Sequence, residues 1–346
     1  MALFLYLSLL KEQKIAWYRI DPQTGELTLQ GHIPTPGEPG VQGVDPGRRY
    51  LYAAMRSSGQ LCSFRIDPIS GWLEPLHTIE TGLEDPACMT TDHTGRYLIT
   101  PYYASGKVTV YGIGKDGAAR EPLCSSLDTA PHAHGCAIDS TNRYAFVPHT
   151  CPGNGIWQLV FANGKLTPNT PARVEFDRDI GPRHLHLHPS NSCAYSDNEQ
   201  DNSVTAYRFD PANGTLTPLQ TLSTVPAGYE GGACARMELH PSGRFLYAAN
   251  RGHDSIAAFR IDPQDGALTS IGQFPTEANP RSFHFDPQGR FLYVAGESND
   301  RLTAYRIDID NGTLDPMQTY ETGHVPWWIQ IVEPKQIKDT TPSPNC

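Results

Sequence analysis

One phrase recurs six times along the 346-residue chain: an Asp or His, a short turn, then an apolar run rich in Tyr and Phe. The copies read Val44-Asp-Pro-Gly-Arg-Arg-Tyr-Leu-Tyr52, Thr91-Asp-His-Thr-Gly-Arg-Tyr-Leu98, Ile138-Asp-Ser-Thr-Asn-Arg-Tyr-Ala145, Leu187-His-Pro-Ser-Asn-Ser-Cys-Ala-Tyr195, Leu239-His-Pro-Ser-Gly-Arg-Phe-Leu-Tyr247 and Phe285-Asp-Pro-Gln-Gly-Arg-Phe-Leu-Tyr293. The turn residues Asp45, Asp92, Asp139, His188, His240 and Asp286 set a period of 46 to 52 residues. Units of that size cannot bury an apolar face alone, so they must stack on one another into a repeat architecture.

Each phrase is a tight turn joining two apolar strands. A second turn phrase follows most copies about twenty residues later, as in Ile66-Asp-Pro-Ile-Ser-Gly-Trp-Leu-Glu74 and Ile261-Asp-Pro-Gln-Asp-Gly-Ala-Leu-Thr269. Four short strands and two turns per repeat describe one blade of a propeller. The chain ends carry complementary halves of a further copy: Phe4-Leu-Tyr-Leu7 matches a second strand and Val325-Pro-Trp-Trp-Ile-Gln-Ile331 a first strand. The expected fold is therefore all-β, a seven-bladed β-propeller with four antiparallel strands per blade and the seventh blade closed by both termini. Closure leaves no free sheet edge. The chain is expected to form a single domain over 1–346, with a disordered tail from about residue 335. The apolar run at the N-terminus reads as a strand, because it lacks the basic start and small-residue cleavage site of a signal peptide and is too short to cross a bilayer.

A formal charge of −10, from 27 basic and 37 acidic residues, excludes the broad cationic field that nucleic acid requires. No nucleic-acid or membrane partner is expected, and the oligomeric state is left open. Eight scattered cysteines with no C-x-x-C pair read as free thiols in a reducing cytoplasm.

Function should appear where the repeats differ. In a blade the first strand is innermost and the second runs antiparallel to it, so the start of one and the end of the other meet at one mouth of the central channel. Five residues before each turn anchor the copies read Gly40, Ala87, His134, Arg183, Ala235, Arg281 and Trp327. Eleven residues after, they read Arg56, Tyr103, Thr150, Glu199, Arg251, Glu297 and Leu10. His134, Arg183, Glu199, Arg251, Arg281 and Glu297 thus crowd one rim, with Arg56 and Trp327 beside them. Clustered charges cost free energy unless paired, and they shift one another's pKa values, which marks a candidate site. Alternate His184, His186 and His188 have the spacing of a metal strand, but His188 occupies the turn slot that Asp fills elsewhere. No metal and no cofactor is expected, and no G-x-S-x-G, phosphate loop or dinucleotide fingerprint is present.

These rim residues lie in the stretches Gly181-Pro-Arg-His-Leu-His-Leu-His-Pro189, Asp197-Asn-Glu199, Leu239-His-Pro-Ser-Gly-Arg-Phe-Leu-Tyr-Ala-Ala-Asn-Arg251 and Asn279-Pro-Arg-Ser-Phe-His-Phe285. Through them the chain resembles the seven-bladed propeller lactonases, a family that includes bacterial 6-phosphogluconolactonase and fungal carboxy-cis,cis-muconate cyclase. The resemblance implies that His134, Arg183, Glu199 and Arg251 form the active site. The family both opens and forms lactones, and metal-independent hydrolysis of a small anionic lactone, such as 6-phosphogluconolactone, is the activity expected of this chain. Glu199 is the expected general base, His134 its acid partner or orienting group, and Arg183 and Arg251 the binders of the lactone oxygen and the anion. Arg281, Glu297, Arg56 and Trp327 are expected to bind substrate. Cyclisation of a muconate is the alternative, and a non-catalytic docking platform a second.

Overall fold

The computed structural model describes residues 2–335, and the tail expected beyond them lies outside the described residues. Seven four-stranded antiparallel sheets are present. We call them blades I (39–79), II (90–128), III (137–175), IV (182–223), V (233–275), VI (280–321) and VII (3–34 with 326–332). In blade VII the C-terminal strand Pro326–Val332 is innermost and pairs with Leu3–Leu9, Leu5 facing Ile331 and Leu7 facing Ile329. The predicted closure by both termini is what the structure shows. Among the described residues the one helical segment is a 3₁₀ turn, Leu10–Glu12.

Burial follows position in the blade. Second strands have neighbouring blades on both faces and are mostly apolar and buried: every residue of Leu3–Leu9 is buried. Outer strands such as Leu314–Glu321 are mostly exposed beyond their first residue, since only solvent lies beyond them.

The repeated turns work as the sequence suggests. Asp45 Oδ1 accepts the N–H groups of Arg49 (2.6 Å) and Tyr50 (2.7 Å), and Asp139 and Asp286 do the same for their own turns. Three residues after each anchor the backbone is left-handed, at Arg48, Gly95, Asn142, Asn191, Gly243 and Gly289. This is why Gly and Asn dominate that slot. Histidine can replace Asp because its ring spans two turns: His240 Nδ1 meets Ser242 Oγ (2.7 Å), and Nε2 reaches the Gly289 carbonyl of the next blade (2.7 Å).

Tyrosines of the second strands stitch blades together. Tyr6, Tyr52, Tyr195, Tyr247 and Tyr293 donate at 2.8–2.9 Å to the carbonyls of Gly71, Gly117, Gly266, Gly312 and Gly25, each in the outer hairpin of the following blade.

Two blades depart from the regular pattern. The inner strands of blades II and III shrink to Thr90–Thr91 and Ala137–Ile138, supplemented by isolated bridges Pro86–Tyr102 and Ala133–His149. Their second strands carry Pro101 and Pro148, which have no N–H to donate to an inner neighbour. The segment bearing His134 is consequently irregular, with His132 left-handed (φ 63°) and His134 tethered by its own N–H to the Pro148 carbonyl (2.9 Å).

Candidate active site

The rim residues converge on one cavity of about 200 Å³ at a channel mouth, lined by Arg56, His134, Arg183, Glu199, Arg251, Arg281 and Trp327 together with Asp85, Tyr103 and Trp328. Seven of the eight residues chosen from the repeat therefore line it. The eighth, Glu297, stands behind Arg281, its carboxylate 3.5 Å from the guanidinium.

Glu199 lies at the centre of the charge network. Its Oε2 accepts from Arg183 Nε (3.1 Å) and its Oε1 from Arg251 Nη2 (2.7 Å), which also reaches the Cys234 carbonyl (2.9 Å). Burial works to raise its pKa, but Arg183 and Arg251 overcome it and hold the carboxyl below its ordinary value. Glu199 is an anion at neutral pH.

His134 is buried, with its ring edge-on to His184 (5.0 Å between centroids) and to Tyr103 (5.9 Å), and its Nδ1 has no protein partner. Burial first, then the charge of Arg183, pushes its pKa well below that of a free imidazole. A neutral imidazole offers one hydrogen-bond donor and one acceptor to whatever enters the pocket.

On the opposite side, the guanidiniums of Arg281 and Arg56 stack over the Trp327 indole at 3.5 and 4.4 Å from its centroid. Arg56 also pairs with Asp85 (3.2 Å). Four guanidiniums, Arg56, Arg183, Arg251 and Arg281, thus line the cavity beside two carboxylates, Asp85 and Glu199. Arg251 Nε is buried without a partner, and desolvation and the neighbouring arginines pull the pKa of Arg281 well down. The lining of the cavity is net positive, although the whole chain is strongly acidic.

Sequence reasoning passed over Tyr103, Asp85 and Trp328. Tyr103 stood in the rim column without a charge to draw notice; it stacks on His132 (4.1 Å, 14° between planes) and walls the pocket. Asp85 (φ 57°) belongs to a loop outside the repeat and left no periodic signal. The three alternate histidines are not brought together: His188 serves its turn, bonded to Ser190 Oγ and the Gly243 carbonyl. Among the described residues no group of three His, Cys, Asp or Glu side chains has the geometry of a metal site.

The family model described as "Lactonase, 7-bladed beta-propeller" matches residues 11–331. The chain belongs to this lactonase family. A 6-phosphogluconolactonase of Pectobacterium carotovorum is 33% identical over 332 residues, covering 94% of this chain and 98% of that protein. Among solved structures, the lactonase is similar to the periplasmic gluconolactonase of Pseudomonas aeruginosa, with a TM-score of 0.89, 26% identity and coverage of 97% and 100% of the two chains. It is also similar to a putative 6-phosphogluconolactonase of Bacteroides fragilis, with a TM-score of 0.87, 25% identity and coverage of 96% and 98%. These relatives favour opening of a lactone ester over muconate cyclisation or a docking platform. No helix among the described residues is long and apolar enough to cross a membrane.

Proposed function

We propose that this lactonase hydrolyses a small anionic sugar lactone, with 6-phosphogluconolactone as the first substrate to test, and that it does so without a metal. The observation that carries the reading is the excess of guanidiniums over carboxylates in the cavity lining, four arginines against two acids, which suits an anionic ligand. Arg281 and Arg56, held on Trp327, take the anionic group, and Arg183 and Arg251 face the carbonyl oxygen. As water adds to the carbonyl carbon, negative charge grows on that oxygen and the arginines stabilise it. Glu199 takes the water proton and returns it to the ring oxygen as the ester C–O bond breaks, leaving a hydroxy acid. His134 orients the water. Substrate binding strengthens the base, because the anion and the developing oxyanion draw on the same arginine charge that depresses the Glu199 pKa.

The names of the Pectobacterium and Bacteroides relatives support a phosphorylated substrate, whereas that of the Pseudomonas relative points to an unphosphorylated one. We place the protein in the cytoplasm, since Cys62, Cys88, Cys124, Cys136, Cys151, Cys193 and Cys234 are all free thiols. The test is hydrolysis of 6-phosphoglucono-δ-lactone and glucono-δ-lactone, each followed by acid release above the spontaneous rate. The phosphorylated lactone is expected to show the higher kcat/KM. No acceleration with either would overturn the proposal.

A further inference from the structure

We propose that Asp197 is a positioning residue of this active site: lying across a β-bulge in the inner strand of blade IV, its carboxylate aims Arg183 at the pocket through His184. This rests on the reading of Arg183 as a residue that faces the lactone.

The inner strand Pro182–Leu187 pairs with Cys193–Asn198, Pro182 opposite Asn198 and Leu185 opposite Ser196. Arg183 and His184 therefore share the single partner position of Asp197. A bulge of this kind re-aims side chains that would otherwise alternate across the sheet. Here Arg183 lines the upper cavity and His184 the channel space just below it. Asp197 Oδ1 accepts the His184 backbone N–H at 2.6 Å, and its Oδ2 lies 3.4 Å from His184 Nδ1. The His184 ring in turn meets Arg183 Nη1, at 3.2 Å from Nδ1 and 3.3 Å from Nε2. From the far side Arg183 Nε reaches Glu199. The guanidinium is thus gripped between a carboxylate that touches the pocket and an imidazole backed by one that does not.

The repeat shows that the fold alone does not ask for this acid. At the positions equivalent to Asp197 the other blades carry Ser8, Ala54, Pro101, Pro148, Ala249 and Ala295. Register shifts recur in the inner strands of blades I, V and VI, so the bulge itself forms without a carboxylate opposite it. Yet Asp197 is fully buried (0% exposed), and Arg183 is 3% exposed. A buried carboxylate is costly unless its charge is used. Asp197 supplies a countercharge to Arg183, which has Arg251 as a repelling neighbour.

Asp197→Asn keeps the shape and an acceptor for the His184 amide while removing the charge. On 6-phosphoglucono-δ-lactone its kcat/KM is expected to fall about ten- to a hundred-fold, with KM raised as well as kcat lowered. In an Arg183→Ala background the same change should alter kcat/KM by less than about twofold, because no guanidinium remains to be aimed. Additive losses would mean that Asp197 acts independently of Arg183 and would overturn the proposal. A second readout needs no substrate: the Arg183 Nε–H, bonded to Glu199, should give a slowly exchanging NMR signal, assigned by its loss in Arg183→Ala. That signal should broaden or vanish in Asp197→Asn, and its persistence unchanged would also overturn the proposal. If it responds while the wild-type protein opens neither lactone, the positioning holds and the substrate reading fails. Should Asp197→Asn not fold, His184→Gln must show the same coupling to Arg183 and the same loss of signal.

Discussion

Glu199 receives one guanidinium on each oxygen, and this arrangement makes separable predictions for the groups around it. Glu199→Gln retains the shape and loses the base, so kcat should fall by about two to four orders of magnitude while substrate binding survives better. Steady-state kinetics with near-normal turnover would remove Glu199 from the chemistry. Arg281→Ala should raise KM for the phosphorylated lactone more than for neutral glucono-δ-lactone, since its charge addresses the anion; an equal effect on both would refute that role. The pH dependence has a definite sign. Glu199 is held below the ordinary carboxylate range and His134 well below the imidazole range, so both stay unprotonated through neutrality. On glucono-δ-lactone, which carries no titrating phosphate, the acid limb of kcat/KM should lie below about pH 5, the profile being flat from there to about pH 8. A limb near pH 6.5 would show an ordinary histidine in control.

Elements explain why the site can be built at all. Inner strands carry Arg183 and Arg281, the ends of second strands carry Glu199 and Arg251, and the second strands are tied to the next blade's hairpin by the tyrosine bonds. Tyr247→Phe removes the donor to the Gly312 carbonyl (2.8 Å) and should cost about 1 kcal/mol, read as a small drop in thermal midpoint with kcat/KM unchanged. A loss of activity without a loss of stability would contradict this role. In blade III the short inner strand is held partly by His149, buried in the second strand Tyr144–His149 with Nδ1 on the Val147 carbonyl and Nε2 against Thr129 Oγ1, both at 2.9 Å. Burial lowers its pKa to about 4, as it does for His184. The folded state therefore keeps these rings neutral where the unfolded chain would protonate them. Their contribution to stability is complete above about pH 6.5 and is lost as the pH falls toward 4. The thermal midpoint should decline over that window, and less steeply in His149→Gln.

At the scale of the whole molecule, the ring is one closed cycle of packed sheets. Its last joint is the pairing of Leu3–Leu9 with Pro326–Val332. Deleting residues 1–10 strips that strand, exposes the inner strand of blade VII on one side and the Lys14–Ile20 strand on the other, and should abolish soluble folding. Well-folded truncated protein by circular dichroism and gel filtration would refute the closure argument.

Much of this was legible in the chain itself. Turn residues at a fixed period, an apolar second strand and complementary termini dictated the propeller, because each reports a local demand: a left-handed turn, a buried strand, an edge to be covered. The same periodicity exposed His134, Arg183, Glu199, Arg251 and Arg281 as residues that fit no structural demand of their column. Asp197 broke its column just as clearly, but a buried position two residues before Glu199 gave no hint of what it served. Only the tertiary structure decided that Glu297 stands behind Arg281, that Asp85 joins the cavity from outside the repeat, and that a bulge turns Arg183 and His184 together toward the channel. Those outcomes depend on strand register and on charges meeting across blades, and interactions between residues so distant in sequence leave no period to read.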